Sequence, residues 1–189
     1  GFPRQDLAEI TASFLETHPG AEVKILFASA RDLSQLLLHN RIDLAFSVQK
    51  LQAVDPRIAS RELFREELVL VSGRKLHRKK FSFDEIQQLP VVEYYQSSDL
   101  FRRWVRHHYG RRPTRARVRA FAASSELVLD LVLKNVGAGV LPESVAAPYL
   151  KRGQLLKIGS DRPGLRDFAW MNGLRAAPLG RIQRVFAES

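Results

Sequence analysis

The sequence predicts an α/β fold made of two Rossmann-like α/β lobes joined by two crossing strands. Helix-like and strand-like segments alternate along the chain with short links, which favours sheets covered by helices. The same alternation starts again after Ser72, and a turn-rich segment at 159–164 ends the second series. We therefore predict a discontinuous lobe I (1–71 and 162–189) and a continuous lobe II (72–161).

The elements of lobe I follow from caps and periodicity. Asp6 is predicted to be the N-cap of the first helix, with Glu9 completing a capping-box-like pair. A second helix is expected from about Asp32. Parallel strands are expected at 22–28 and 42–48, because both segments are apolar enough for a sheet buried on both faces. Later elements are predicted as a strong strand at 67–71 within the segment 58–72, a strand at 168–171 and a terminal helix at 179–186.

Lobe II is predicted from similar signals. Ser82 and Glu85 form a capping box for a short helix, and serines before 100 and 126 cap two further helices. Strands are expected at 90–95, 115–121 and 154–158. The glycines of the 137–139 turn end one helix, and Pro142 opens the next one after a short apolar strand.

Composition limits the class of protein. The chain has 189 residues, 45% of them hydrophobic, so it can bury a substantial core. It has no cysteine, which excludes disulfides, a thiolate zinc site and a cysteine nucleophile. The polar N-terminus is unlike a signal peptide, and no apolar run approaches the ~18 residues of a membrane span, so we expect a cytoplasmic protein.

The chain carries a formal charge of +10, from 30 basic and 20 acidic residues. This excess indicates an acidic partner, either nucleic acid or an anionic ligand, or serves only solubility. Arg115, Arg117 and Arg119 alternate along one predicted strand and so share a face. That face could grip phosphates, be solvated, or pair with acidic side chains.

Motifs of catalysis and cofactor binding are missing from the sequence. The Gly137-Ala138-Gly139 turn is no dinucleotide loop, because it follows a helix and precedes a strand. No Walker loop, zinc-binding His-Glu-x-x-His or serine nucleophile elbow occurs, and the five histidines lack metal-ligand spacing. We therefore expect no metal, no cofactor and no enzyme activity. Asp43 and Glu143 are the carboxylates left as catalytic candidates, with structural roles as the alternative.

Polar side chains collect where predicted strands end and helices begin. In open α/β sheets, ligands bind outside the carboxyl ends of the strands, and helix N-termini there attract anions. Each serine alone could be a plain N-cap. Repeated in both lobes, they predict a shared cleft for a small, anionic ligand of unknown identity. The residues predicted to line this cleft are Ser29, Ser47, Gln49, Gln96, Ser97, Ser124 and Ser125.

Four segments carry a family resemblance. In order they are LAEITASFLETHPGAEVKI, LSQLLLHNRIDLAFSV, RELFREELVLVSGRKLH and NVGAGVLPESVAAPYLKRGQLLKI. Their order and spacing resemble the effector-binding domain of LysR-type transcriptional regulators. Arg41 departs from the glycine-containing lead-in usual before the Ile-Asp-Leu strand, and Leu141-Pro142 follows Gly139 more closely than in many members.

The resemblance implies a type II periplasmic-binding-protein-like fold, with two lobes around a cleft for a small effector. It implies transcription control, homodimers or homotetramers, and no catalysis. By position, the cleft residues of that family fall on the same seven residues that are predicted to line the cleft. The resemblance therefore makes these seven the predicted effector-binding residues. DNA would be bound through an N-terminal winged helix-turn-helix, which we expect to be absent from this chain. We also expect the first strand of the effector domain to be absent, and with it part of the pocket.

Three other functions remain open on the sequence. A periplasmic solute-binding protein would have the same fold, a signal peptide and a neighbouring permease. A two-lobed lyase or transferase would use Asp43 or Glu143. The basic surface could also bind nucleic acid directly. The helix at 126–136 is apolar over most of its surface, which predicts contact with a partner subunit.

Overall fold

The computed structural model of the chain describes residues 4–78, 80–95, 99–159 and 162–175. Its helices are α1 (Arg4–Thr17), α2 (Ala30–Leu38), α3 (Phe83–Gln88), α4 (Leu100–Tyr109), α5 (Ser125–Leu133) and α6 (Glu143–Lys151). Its strands are β1 (Ala45–Ser47), β2 (Ile58–Ser72), β3 (Pro90–Tyr94), β4 (Arg117–Ala122), β5 (Ala138–Pro142), β6 (Leu156–Lys157) and β7 (Leu165–Leu174). Short 3-10 helices lie at Leu51–Ala53 and Arg74–Leu76.

The chain divides into two compact units. Unit 1 comprises Gly1–Arg65 and Phe168–Ser189, and unit 2 comprises Glu66–Asp167. The chain therefore passes from one unit to the other within β2 and returns within β7. The predicted lobe borders, at 71/72 and 161/162, do not coincide with these two crossing points and stay a prediction.

Unit 2 is built on a mixed sheet in the order β2-β5-β3-β4, with β6 on β2. β3 runs parallel to both β4 and β5, whereas β2 is antiparallel to β5 and β6. The register between β3 and β4 shifts once, because Val91 pairs with Val118 and Val92 pairs with Ala120. Arg119 is therefore the extra residue of a β-bulge, which turns the following residues to the other face of the sheet.

Two hydrophobic cores cover the two faces of this sheet. Successive residues of β2 alternate between them: Leu68 and Leu70 belong to the core with Trp104, whereas Val69 and Val71 belong to the core with Val132. Side chains of a strand point alternately to its two faces, so the unbroken apolar run of β2 is buried on both. The strand predicted at 67–71 is confirmed, and β2 extends over the whole segment from Ile58 to Ser72. α3 also begins as predicted, with the reciprocal bonds of a Ser82–Glu85 capping box.

Unit 1 has its own smaller core. β1 pairs antiparallel with β7, in a register that places Ala45 opposite Asn172. The buried residues Leu37, Leu51 and Ile58 pack with Ala45. The sequence predicted parallel strands in this part of the chain, and the pairing described here is antiparallel.

The strand predicted at 22–28 is wrong. Residues 21–29 form neither helix nor strand, and Ile25, Leu26 and Phe27 are 48%, 47% and 69% exposed. An apolar segment becomes a strand only where another strand accepts its backbone hydrogen bonds. No strand within the described ranges pairs with this segment, so its composition alone was misleading.

Two other boundaries also differ from the prediction. α1 begins at Arg4, so Asp6 lies inside the helix and is not its N-cap. The strand predicted at 42–48 is limited to Ala45–Ser47, and Asp43 is an exposed residue before it. The terminal helix predicted at 179–186 lies outside the described residues.

His108 is a buried titratable group in the core of unit 2. Its ring lies 4.0 Å from the Trp104 ring. Burial, then the charge of His107, and more weakly Arg162 and Lys157, lower the pKa of His108 to about 4, while Glu67 acts in the opposite direction. An unfolded histidine titrates near pH 6.5, so only the unfolded chain takes up this proton between pH 6.5 and 4.

We therefore expect the free energy of unfolding to fall as the pH drops from 6.5 to 4, by about 2–3 kcal/mol from this residue. Urea denaturation at several pH values measures the loss. His108→Leu should flatten the pH dependence, whereas His39→Gln, at an exposed histidine of unit 1, should leave it unchanged. Parallel pH curves for the wild type and His108→Leu would contradict this assignment.

Candidate functional site

The carboxyl ends of β3 and β4 lie side by side in unit 2. The two strands are parallel, with Tyr94 opposite Ala122, and the Tyr95 amide donates a hydrogen bond of 2.9 Å to the Ala122 carbonyl. α5 begins three residues after β4. This is the edge of an open α/β sheet at which ligands usually bind.

Three polar side chains meet at this edge. The Ser124 Oγ accepts a hydrogen bond of 3.3 Å from the Leu127 amide and so caps α5. The Tyr94 hydroxyl donates to the Ser125 Oγ at 3.3 Å, and both residues are buried. Burial raises the pKa of Tyr94, so its hydroxyl stays protonated and remains a donor. The Ser125 hydroxyl keeps its own proton for a further acceptor.

Large apolar side chains surround these hydroxyls in the sequence and stay exposed. Tyr95 is 76% exposed, Phe121 55% and Leu127 47%. Tyr95 follows the last residue of β3, Phe121 is the last residue but one of β4, and Leu127 lies in the first turn of α5. Exposed aromatic rings at the carboxyl ends of β3 and β4 suit a small ligand with an apolar body and a few polar groups.

Glu93 is the acidic residue of this edge. It is 2% exposed, and its carboxylate accepts hydrogen bonds from the Phe101 amide at 3.0 Å and the Tyr94 amide at 3.3 Å. The carboxylate therefore occupies the N-terminus of α4, where a helix dipole favours negative charge. Burial raises the pKa of Glu93, although these hydrogen bonds oppose the shift. The α4 N-terminus is thus supplied with an anion by the chain itself.

In unit 1, Ser29 is used by its own helix. Its Oγ accepts a hydrogen bond of 3.2 Å from the Asp32 amide and donates one of 2.6 Å to Asp32 Oδ2. It is therefore the N-cap of α2. A ligand at this point would share Ser29 with the Asp32 carboxylate.

Ser47 belongs to a buried hydrogen-bond network centred on Asn172. The Asn172 amide donates to the Ser47 Oγ at 3.0 Å and to the Ala45 carbonyl at 3.2 Å. Its Oδ1 accepts from the Ser60 hydroxyl at 2.6 Å and the Leu51 amide at 3.2 Å. The Ser47 hydroxyl donates to the Gln49 carbonyl, so the network holds the backbone of Gln49 while its side chain stays exposed.

The structure thus groups the predicted effector-binding residues within each unit separately. Ser124 and Ser125 are adjacent in unit 2, and Ser47 and Gln49 are hydrogen-bonded in unit 1, where Ser29 is a cap. Gln96 and Ser97 lie outside the described residues. Contact of any of these residues with an effector stays a prediction.

The sequence prediction missed three residues of these groups, Glu93, Tyr94 and Asn172. Glu93 left one signal in the sequence, because it is the single charge in an otherwise apolar strand. Tyr94 left none, because tyrosine is common in strands, whereas Asn172 is a residue type depleted in strands and so left a weak signal.

The two carboxylates that the sequence left as catalytic candidates, Asp43 and Glu143, belong to different units. Asp43 is exposed, and Glu143 lies 3.4 Å from the Lys157 ammonium at the start of α6. Within the described ranges no three His, Asp or Glu side chains could together hold a metal ion. No helix there is long and apolar enough to cross a bilayer.

Comparison with known families decides the class. The family model of the LysR substrate binding domain matches residues 1–187. The chain belongs to the LysR substrate-binding domain family. The predicted family is thereby confirmed: the chain is an effector-binding domain of the LysR-type transcriptional regulators. In this family, substrate binding means binding of a small-molecule effector and not turnover.

Solved structures of LysR regulatory domains share the fold. The cofactor-binding domain of the Cbl transcriptional regulator is 18% identical, with 96% of this chain and 80% of that chain covered and a TM-score of 0.77. The C-terminal domains of a LysR family protein from Agrobacterium tumefaciens are 15% identical, with 96% and 87% covered and a TM-score of 0.77. The regulatory domain of CrgA from Neisseria meningitidis is 18% identical, with 96% and 88% covered and a TM-score of 0.77.

These likenesses confirm the predicted type II periplasmic-binding-protein-like fold of this LysR substrate-binding domain. A search of curated protein sequences finds no match to the chain. The effector of this domain therefore has to be inferred from its own residues.

Proposed function

We propose that this domain binds a small metabolite, and that this binding controls how a LysR-type regulator binds DNA. The match of the LysR substrate binding domain model to residues 1–187 carries the proposal. An effector changes the activity of a regulator only if it binds one conformation of that regulator more tightly than the other. We propose further that the domain performs no catalysis, since neither Asp43 nor Glu143 is part of a catalytic arrangement.

The geometry of unit 2 supports an effector contact at Tyr94, Ser124 and Ser125. Ser125 and Tyr94 are buried and hydrogen-bonded to each other, so their positions are set before a ligand arrives. The N-terminus of α5 adds backbone N–H groups and the positive end of a helix dipole. In unit 1, Ser29, Ser47 and Gln49 are proposed as contacts on the same sequence argument.

The charge of the effector follows from the groups around α5. The helix dipole favours a carboxylate, and Ser124 and Ser125 can donate to one. Glu126 lies in the first turn of α5, and the buried Glu93 is next to Tyr94 in the chain. Two acidic neighbours disfavour a ligand of high negative charge. We therefore propose a singly charged carboxylate with an apolar portion for Tyr95 and Phe121.

The test is a calorimetric screen of this chain against monocarboxylates, dicarboxylates, amino acids and neutral metabolites. We expect a monocarboxylate to bind. Ser124→Ala should then weaken its binding about tenfold, because a charge-assisted hydrogen bond contributes about 1.5–3 kcal/mol. Binding restricted to neutral or cationic compounds would contradict the proposed charge.

Ser82→Ala is the matched control for this experiment. Ser82 and Ser124 are both N-caps in unit 2, with their Oγ atoms 3.2 and 3.3 Å from the amides that they cap. Both substitutions should cost about 1 kcal/mol of stability. Only Ser124→Ala should weaken the binding of the effector. Equal weakening in both variants would show that lost stability, and not a lost contact, is responsible.

The remaining features of the regulator are proposed from the family. We propose that the domain is cytoplasmic, forms homodimers or homotetramers, and reaches DNA through a separate N-terminal domain. On α5, Val128, Leu129 and Val132 are buried in the core of unit 2, and Leu127 is exposed. Most of the apolar surface of α5 is therefore used within its own unit. Sedimentation that found a monomer at high concentration would contradict oligomerisation.

A further inference from the structure

An open depression of about 430 Å³ lies on the surface of unit 2. This volume is in the range of sites for small molecules. Its polar lining comes from the end of α3, the start of α4 and the segment that leads into β4. The polar residues are Gln87, Gln88, Arg102, Thr114, Arg115 and Arg117.

Most of the depression is lined by residues from an arginine-rich part of the sequence. Residues 99–119 contain eight arginines and one acidic residue, Asp99. Asp99 pairs with Arg112 at 3.1 Å, and Arg103 pairs with Asp167 at 2.9 Å. These pairs occupy the carboxylates of Asp99 and Asp167, and neither pair lines the depression.

The three arginines of the depression have no acidic partner among the residues that the structure describes. No carboxylate within the described ranges forms an ion pair with Arg102, Arg115 or Arg117. Arg115 and Arg117 are exposed, and Arg102 is half-buried. Three positive groups that line one depression repel each other, and an anion bound among them would remove that repulsion. The sequence had left solvation, pairing with acids and phosphate binding open for Arg115 and Arg117, and neither residue pairs with an acid in the described part of the chain.

The neutral lining residues favour an acceptor-rich ligand. The Gln87 Oε1 accepts hydrogen bonds from the Thr114 amide at 3.1 Å and the Thr114 hydroxyl at 3.3 Å. This acceptor is therefore occupied, which leaves the Gln87 amide N–H groups as donors. Guanidinium groups are donors only and match the paired oxygens of carboxylates and phosphates.

The depression is separate from the proposed effector contacts on α5. Arg117 is the first residue of β4, whereas Ser124 and Ser125 follow its last residue, Ala122. At about 3.3 Å per residue, the strand holds its two ends about 16 Å apart. A small molecule in contact with Arg115 and Arg117 is therefore not the one that Ser125 contacts.

We propose that this depression is a second ligand site, which takes a small oxyanion of two or more negative charges, such as a polycarboxylate or a phosphoryl compound. The convergence of Arg102, Arg115 and Arg117 without a carboxylate among them carries the proposal. The proposal of this second site does not depend on the proposed effector or its contacts. A concave site of limited volume suits a small molecule better than an extended nucleic-acid backbone, which needs a continuous row of cations.

Inorganic pyrophosphate and citrate are the probes for this site. Calorimetric titration of the chain at low salt should show saturable, one-to-one binding of at least one of them. Arg115→Gln/Arg117→Gln should weaken it tenfold or more, because each lost charge-assisted contact contributes about 1.5–3 kcal/mol. Ser124→Ala should leave it within about twofold. These substitutions are at partly or fully exposed positions, and circular dichroism checks that the variants fold.

The control is Arg41→Gln/Arg166→Gln, which removes the same charge from two exposed arginines outside the depression. It should leave binding within about twofold. Three outcomes would overturn the proposal. The first is that neither probe binds saturably. The second is that the control double variant or Ser124→Ala weakens binding as much as Arg115→Gln/Arg117→Gln does. The third is that a DNA duplex binds through Arg115 and Arg117 while both small anions do not.

Discussion

Gly137→Ala is expected to lower the free energy of unfolding by about 3 kcal/mol. A Cβ atom at this position would lie 2.9 Å from the Pro90 carbonyl oxygen and from two backbone atoms of Val91. These atoms belong to β3, which is held between β4 and β5, so they cannot move without breaking the ladder in which Val91 pairs with Ala138. Gly137 is therefore required by packing between the α5–β5 turn and β3.

Tryptophan fluorescence can measure this loss in unit 2 alone. The chain has two tryptophans, Trp104 in the core of unit 2 and Trp170 in unit 1. In a Trp170→Phe background, urea denaturation reports on unit 2. Gly20→Ala is the control, because no atom lies within 4 Å of a Cβ there, and it should change stability by less than about 0.5 kcal/mol. A Gly137→Ala midpoint equal to that of the background would contradict the packing argument.

Asn172→Ala is expected to destabilise unit 1 by about 2–4 kcal/mol. Asn172 is fully buried, and its removal leaves the Leu51 amide and the Ala45 carbonyl without these bonds in the interior. The Ser47 and Ser60 hydroxyls lose the same partner. A buried polar group left unpaired carries its full desolvation cost.

The matched measurement for unit 1 uses a Trp104→Phe background, in which Trp170 reports. Gln49→Ala removes a neighbouring exposed amide side chain and should change stability by less than about 0.5 kcal/mol. If Asn172→Ala were as stable as Gln49→Ala, the network would not be what holds the 47–51 segment in place.

The elements that could be predicted are those whose signal is local. The Ser82–Glu85 capping box, the N-cap at Ser124 and the apolar run of β2 each follow from neighbouring residues, and each is present. The glycine turn at 137–139 is scaffold: a Cβ on Gly139 would lie 2.8 and 2.9 Å from the side chains of Val128 and Val132. The absence of a Cβ at Gly139 therefore lets α5 pack closely on β5. The turn has the structural role that remained after the sequence analysis had rejected a dinucleotide loop.

The features that could not be predicted depend on distant partners. The segment at 22–28 has strand composition, and a strand also needs a neighbour, which composition does not reveal. Asn172 lies more than a hundred residues from Ser47 and Ser60, to which it is bonded. Glu93 occupies the N-terminus of α4 only because β3 ends beneath that helix. In the candidate site, therefore, the caps could be predicted and the residues that position them could not.

Amide hydrogen exchange of this chain with and without its effector tests the central claim most directly. We predict that an effector found in the carboxylate screen slows amide exchange in the first turn of α5 and at Tyr94–Tyr95. In unit 1, it should slow exchange in the peptides that contain the proposed contacts Ser29, Ser47 and Gln49. Ser82→Ala should keep this pattern, and Ser124→Ala should lose it at matched effector concentration. Protection confined to residues 87–88 and 114–117, or absent around Ser124 and Ser125, would contradict it.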